Sequence, residues 1–149
     1  MDVVLNTQEE VVARLAQEIK QSIRWNRPSI LIVVCSSAKV RKETQDKVAN
    51  FVQSLEQTVT EYSVAPATYD IPLVLSQHPG RSKTVFFVTR LNRGGGTGNR
   101  NAFRALNMRR ELLVDYPTRV VFWLTRPEAK ALALLAPDFW AFRHLSLAV

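Results

Sequence analysis

Apolar side chains at Val12, Leu15, Ile19 and Ile23 recur three or four residues apart. One face of the segment from about Gln8 to Trp25 is therefore apolar, and a helix is expected there. Thr7 followed by Glu10 has capping-box spacing at its start, and Asn26-Arg27-Pro28 stops it. The next run, SILIVVC from Ser29 to Cys35, is apolar without alternation, the pattern of a strand covered on both faces. Ser36-Ser37 turns the chain. Ser37 is a plausible N-cap for a second helix marked by Val40, Thr44, Val48, Phe51, Val52 and Leu55. Val59 to Val64 alternates and suits a strand nearer an edge. Ala65 to Ser82 holds three of the seven prolines, with a short helical piece beginning at Asp70.

Thr84 to Thr89 (TVFFVT) is a third buried strand, followed by a loop from Arg90 to Arg100 that carries four of the five glycines. A helix from Asn101 to Val114 places Phe103, Leu106 and Leu113 on one face. Arg119 to Leu124 is again a non-alternating strand. Thr125 with Glu128 repeats the capping-box spacing, and Pro127 sits in a first turn, where its missing N–H costs nothing. That helix runs to about Leu135 and is stopped by Pro137. Asp138 is placed to cap a short turn holding Phe139, Trp140 and Phe142, and His144 to Val149 supplies a last strand. Alternating strands and helices predict an α/β three-layer sandwich with a doubly wound, mainly parallel five-stranded sheet. At 149 residues this is one domain spanning 1–149, and a strand ending at the last residue suggests a fragment of a longer chain.

Composition changes this picture little, but charge does. The formal net charge is +7. The first 30 residues are balanced, whereas Arg90 to Arg119 holds seven arginines against Glu111 and Asp115. Arginine favours bidentate contact with phosphate or carboxylate. The single cysteine, no apolar run near 18 residues, and acids where a signal peptide carries bases all point to the cytoplasm and away from a membrane.

In open α/β sheets ligands bind beyond the carboxyl ends of the strands. Three such ends can be read. Cys35-Ser-Ser-Ala-Lys-Val-Arg-Lys42 stands where a phosphate-binding loop would, yet it has no glycine and no Gly-Lys-Ser/Thr. It reads as a plain strand-to-helix turn, or as a weak anion contact through Lys39 near the helix start. At the end of the third strand, where a nucleotide hydrolase keeps an Asp for magnesium, stand Thr89 and Arg90. Arg93-Gly-Gly-Gly-Thr-Gly-Asn-Arg100 is either an anion-binding nest flanked by Arg93 and Arg100, or a loop that touches nothing. His78 and His144 have no metal-ligand spacing, Cys35 reads as a structural thiol, and Ser36 and Ser37 lack a nucleophile-elbow pattern. The Phe139-Trp140-Phe142 cluster reads as core closure.

Ala105-Leu-Asn-Met-Arg-Arg-Glu111, Val120-Val-Phe-Trp-Leu124 and Ala136-Pro-Asp-Phe-Trp-Ala-Phe-Arg143 together resemble a helix–strand–helix segment of bacterial P-loop domains of the signal-transduction ATPase (STAND) class. They look most like the degenerate members found in multidomain signalling and conflict proteins. The resemblance covers about 40 residues, and the rest agrees in element order. It implies a P-loop NTPase-like fold and a regulatory, protein-interaction role without catalysis or cofactor. The expected partner is another protein or an adjoining domain of the same polypeptide. Asn107, Arg109 and Arg110 match its motif, as groups that touch a ligand, a partner or their own sheet. Arg110 and Glu111 can equally form an internal ion pair. The alternative function is a nucleic-acid or nucleotide-binding module using the Arg90–Arg119 excess.

Overall fold

Five strands form one sheet in the order β2-β3-β4-β1-β5, and every pairing is parallel. They are β1 (Ser29–Val34), β2 (Thr58–Ser63), β3 (Thr84–Thr89), β4 (Arg119–Leu124) and β5 (Leu145–Ala148). The computed structural model describes residues 5–95 and 101–149. Every residue of β1 and β4 is buried, as their unbroken apolar sequences require, while β2 lies at the edge and alternates.

Side chains of successive strand residues point to opposite faces, so each strand feeds two cores. One core joins Leu31, Val33, Val85, Phe87, Val121 and Trp123 to α1 (Gln8–Trp25) and α2 (Ala38–Ser54) through Leu15, Ile19, Val48 and Val52. The other joins Ile30, Ile32, Phe86, Val88, Val120 and Phe122 to the remaining helices. These are α3 (Ile71–Ser76), α4 (Ala102–Met108), α5 (Glu111–Asp115), α6 (Arg126–Leu135) and α7 (Pro137–Phe142). The result is the three-layer, doubly wound sandwich. Burying each large apolar side chain contributes about 1.5–3 kcal/mol, so the two faces of the sheet supply most of the driving force.

The helix ends follow the sequence signals. Both capping boxes form: Thr7 with Glu10 on α1, and Thr125 with Glu128 on α6. Ser37 caps α2 by accepting from the Val40 N–H at 3.1 Å. α1 ends with Asn26 in the left-handed region at φ 47°.

Two expectations are corrected. The single helix expected from Asn101 to Val114 is two, α4 and α5. Arg109 leaves helical geometry at φ −119°, ψ 25°, and the Arg110 guanidinium folds back to donate to the Asn107 carbonyl at the end of α4. Phe103, Leu106 and Leu113 are all buried, so the apolar spacing stays in phase across the break and conceals it. Asp138 does not cap α7. The cap position is Ala136, which has no side-chain cap; the Asn107 Oδ1 reaches across from α4 to accept from the Asp138 and Phe139 N–H groups at 2.8 and 3.1 Å. Phe139 is fully buried and meets Phe122 edge-on, so the cluster closes the core through Phe139, while Trp140 is partly buried and Phe142 exposed.

Candidate functional site

Adjacent parallel strands whose following segments leave to opposite faces leave a gap beyond their carboxyl ends. β1 and β4 are such a pair: β1 leads into α2 on one face and β4 into α6 on the other. The gap is a crevice of about 560 Å³ over the ends of β4, β1 and β5. Its walls are mostly apolar (Val34, Leu124, Pro127, Ala148 among them), and among the described residues the charged side chains that line it are Arg41 and Arg126. No acid lines it.

The turn from β1 to α2 forms its floor. Only Cys35, Ser36 and Ser37 separate strand from helix. The Cys35 N–H donates to the Leu124 carbonyl and the Ser36 N–H to the Val149 carbonyl, both at 2.9 Å. The Val40 N–H is taken by the Ser37 hydroxyl. The Cys35, Ser36 and Val40 N–H groups are therefore committed to the neighbouring strands and the cap. Lys39 is exposed on the first turn of α2 and is not part of the crevice wall; Arg41 is. Burial pushes the Cys35 thiol up to about 11, with the nearby Arg41 charge acting against it, so this buried thiol is protonated at neutral pH.

Two residues that line the crevice each carry a buried donor with no acceptor among the described residues. The donors are the indole Nε1 of Trp123, a residue only 1% exposed, and the Nε of Arg41. One turn beyond Arg41 on α2, the buried Gln45 Nε2 also lacks a partner. Trp123 is held by its β4 position and by an edge contact with Phe87 at 5.3 Å.

Beyond β3 the chain turns sharply. Arg90 adopts a left-handed conformation at φ 58° and is exposed, throwing the chain into a 3-10 turn over Leu91–Gly94. Thr89 ends β3 and Arg90 begins the turn beyond it. The carboxylate bonded to this turn, Glu128, is buried with both oxygens engaged: Oε1 accepts from the Thr125 N–H and Oε2 from the Asn92 N–H, each at 2.9 Å. Glu128 thus ties the turn after β3 to the start of α6. The capping box foretold its first bond, but nothing local in the sequence foretold the second. Gly94 is required for packing, since a Cβ there would meet the Ala102 Cβ at 2.5 Å and the Val64 Cγ1 at 2.8 Å. Arg93 is exposed beside it; Arg100 and residues 96–99 of the expected nest lie outside the described residues.

The arginine excess divides. Arg119 is 2% exposed, so it is not a surface cation. It sits at the amino end of β4, where its guanidinium donates to the Ser22 hydroxyl, the Ser22 carbonyl and the Ser82 carbonyl at 3.1, 3.1 and 3.2 Å. Burial pulls its pKa down from the ordinary value. Arg109 pairs with Asp70 at 3.3 Å, linking α4 to the cap of α3, and Arg110 holds the Asn107 carbonyl and lies 3.8 Å from Glu111. The structure thus engages Asn107, Arg109 and Arg110 in contacts within the domain. His144 accepts at Nδ1 from the Ile30 N–H at 2.9 Å, and His78 accepts from the Gly80 N–H. Among the described residues no group of three His, Cys, Asp or Glu side chains could hold a metal ion, and no helix is long and apolar enough to cross a membrane.

No protein-family model matches the chain, and no curated protein sequence does either. Solved structures do. The chain is similar to the Thermotoga maritima RuvB Holliday junction branch migration motor, at 16% identity and TM-score 0.58, over 96% of this chain and 45% of that one. It is similar to the Aeropyrum pernix ORC2 protein in its ADPNP-ADP complexes, at 13% and 0.59, over 97% and 48%. It is also similar to AMPPCP-bound DnaA from Aquifex aeolicus, at 7% and 0.54, over 97% and 48%. The fold is thereby P-loop NTPase-like. The chain spans less than half the length of each of these proteins.

Proposed function

We propose that this is a non-catalytic, P-loop NTPase-like regulatory domain that works through protein interaction within a bacterial signalling or defence protein. The observation that carries the reading is the three-residue β1–α2 turn, whose Cys35 and Ser36 N–H groups are bonded to Leu124 and Val149. A triphosphate needs a glycine-rich loop with free N–H groups and a metal held by an acid. Here the turn has no glycine, and a cation, Arg90, follows β3. Magnesium and triphosphate therefore do not fit the residues present. The partner is a second protein or an adjoining domain of the same polypeptide. Met108 on α4, Leu134 and Leu135 on α6 and Phe142 on α7, all exposed, offer apolar area for it.

The nucleic-acid alternative is disfavoured. It draws on the Arg90–Arg119 excess, of which Arg119 is buried and Arg109 and Arg110 are engaged internally. The decisive assay is ATP hydrolysis with magnesium, alongside calorimetry of ATP binding. No turnover above background is expected. Turnover that disappears in Lys39→Ala overturns the reading.

A further inference from the structure

We propose that the face at the amino ends of β1, β4 and β3, built on Trp25 and Tyr116 with the arginines stacked on them, binds single-stranded nucleic acid. It lies at the end of the sheet opposite the crevice, Arg90 and Arg93, and it stands or falls independently of the regulatory reading above.

α1 ends at Trp25, which is 66% exposed, with the Arg24 guanidinium 5.2 Å over its ring. In the turn before β4, Tyr116 is 47% exposed, with the Arg81 guanidinium, from the turn before β3, 4.8 Å over its ring. The buried Arg119 guanidinium fastens these segments together. It bonds Ser22, one turn before Trp25, and Ser82, the neighbour of Arg81. β3, β4 and β1 are adjacent, so the two ring–arginine pairs stand over strand ends about 10 Å across.

Charge follows the rings. Arg24, Arg27 and Lys83 are exposed and Arg81 is half-buried, and among the described residues none of the four has an ion-pair partner. Beneath them Arg119 is bonded to neutral oxygens alone, so its charge adds to the positive potential of this face. Glu18, Glu56 and Asp115 in the adjoining segments offset the cations only in part. An unpaired base offers a flat face to each ring and a phosphate to each cation. A duplex stacks its bases internally, and an acidic peptide meets the cations but leaves the rings uncovered.

The test is fluorescence anisotropy with labelled oligo(dT) and oligo(U) of about 12 nucleotides. Saturable binding at roughly 1–100 µM in about 0.1 M salt is expected, with a log–log salt slope of roughly −2 to −3. Binding of either strand supports the proposal, and the tighter one names the sugar. Trp25→Ala should weaken binding about fivefold or more, and the double variant Arg81→Gln, Lys83→Gln should flatten the salt slope by roughly 1. Arg126→Gln, at the start of α6 beyond the other end of the sheet, should leave affinity unchanged. Binding should also quench tryptophan emission, and the quench should vanish in Trp25→Phe, which keeps a ring to stack on. No binding of either strand, affinity unmoved by Trp25→Ala, or a loss in Arg126→Gln equal to that in the Arg81, Lys83 double variant overturns the proposal. Equal or tighter binding of the blunt duplex, of polyglutamate or of phosphatidylserine vesicles overturns it too, in favour of a duplex, an acidic protein or a membrane surface.

Discussion

Replacing Asn107 by alanine should uncouple α7 from α4. Asn107 Oδ1 accepts from two N–H groups at the start of α7, those of Asp138 and Phe139. Ala136, at the cap position, offers no side-chain acceptor of its own. Losing an N-cap costs about 0.5–2 kcal/mol. Phe139 is fully buried, so its orphaned N–H adds to the penalty, and the total is about 1–3 kcal/mol. In a domain of this size each kcal/mol lowers Tm by roughly 2–4 °C, so a fall of roughly 2–12 °C is expected. Urea denaturation followed by circular dichroism should show a lower midpoint at unchanged slope. Asn107→Asp keeps the acceptor but places a second carboxylate near Asp138, whose Oδ2 is 3.5 Å from the Asn107 Nδ2, and should fall between wild type and alanine. Asp138→Ala should cost less than about 0.5 kcal/mol, because only the backbone of that residue is capped. If Asn107→Ala lies within about 0.3 kcal/mol of wild type, or Asp138→Ala is the costlier change, the cross-helix cap is wrong.

Gly94→Ala should destabilise by about 1–3 kcal/mol, because the new methyl collides with Ala102 and Val64; thermal melts check it. Arg119→Ala should cost about 2–4 kcal/mol and be poorly rescued by lysine, since one guanidinium bridges Ser22 and Ser82 in a geometry an ammonium cannot copy. Its effect on urea unfolding should be the same at low and high salt. His144 is exposed overall, but partial desolvation of its ring holds it below the ordinary histidine value, so the unfolded chain takes up the proton first as pH falls. The His144 contribution is complete above about pH 6.5 and declines below it. Urea midpoints at pH 7.5 and pH 5 should show wild type losing stability relative to His144→Asn, which keeps an acceptor for the Ile30 N–H and does not titrate.

The layers were legible because they rest on local pattern. Non-alternating apolar runs gave β1, β3 and β4 to within a residue, and Thr7, Ser37 and Thr125 marked the helix starts, since a cap is a contact between near neighbours in sequence. Strand order was not legible, because β1 pairs with β4 some 90 residues away and no local signal encodes that choice. The break at Arg109 was concealed by apolar positions that remain in phase on both sides of it. Arg119 was counted with the surface charge because its partners, Ser22 and Ser82, are neutral oxygens distant in sequence, and no opposite charge betrays a buried guanidinium. The crevice was expected at the strand ends by topology, but Arg41, Trp123 and Arg126 could be assembled only once β1 and β4 were known to be neighbours. Lys39 drew attention through its place in the turn, yet a helix carries residues two positions apart to different sides, and it is Arg41 that turns inward.

The resembling segments around Asn107 and Ala136–Arg143 acquire a physical reason from the same geometry. They occur together because the first caps the second: Asn107 holds the start of α7, Arg110 holds the Asn107 carbonyl, and Arg143 closes the end by donating to the Trp140 carbonyl and stacking 4.2 Å over its ring. That motif braces the helical layer opposite α1 and α2, and none of its residues lines the crevice. The brace and the crevice are thus separated on this domain. The crevice arises from β1 and β4 sending their helices to opposite faces, which depends on strand order and not on any phosphate-binding residue.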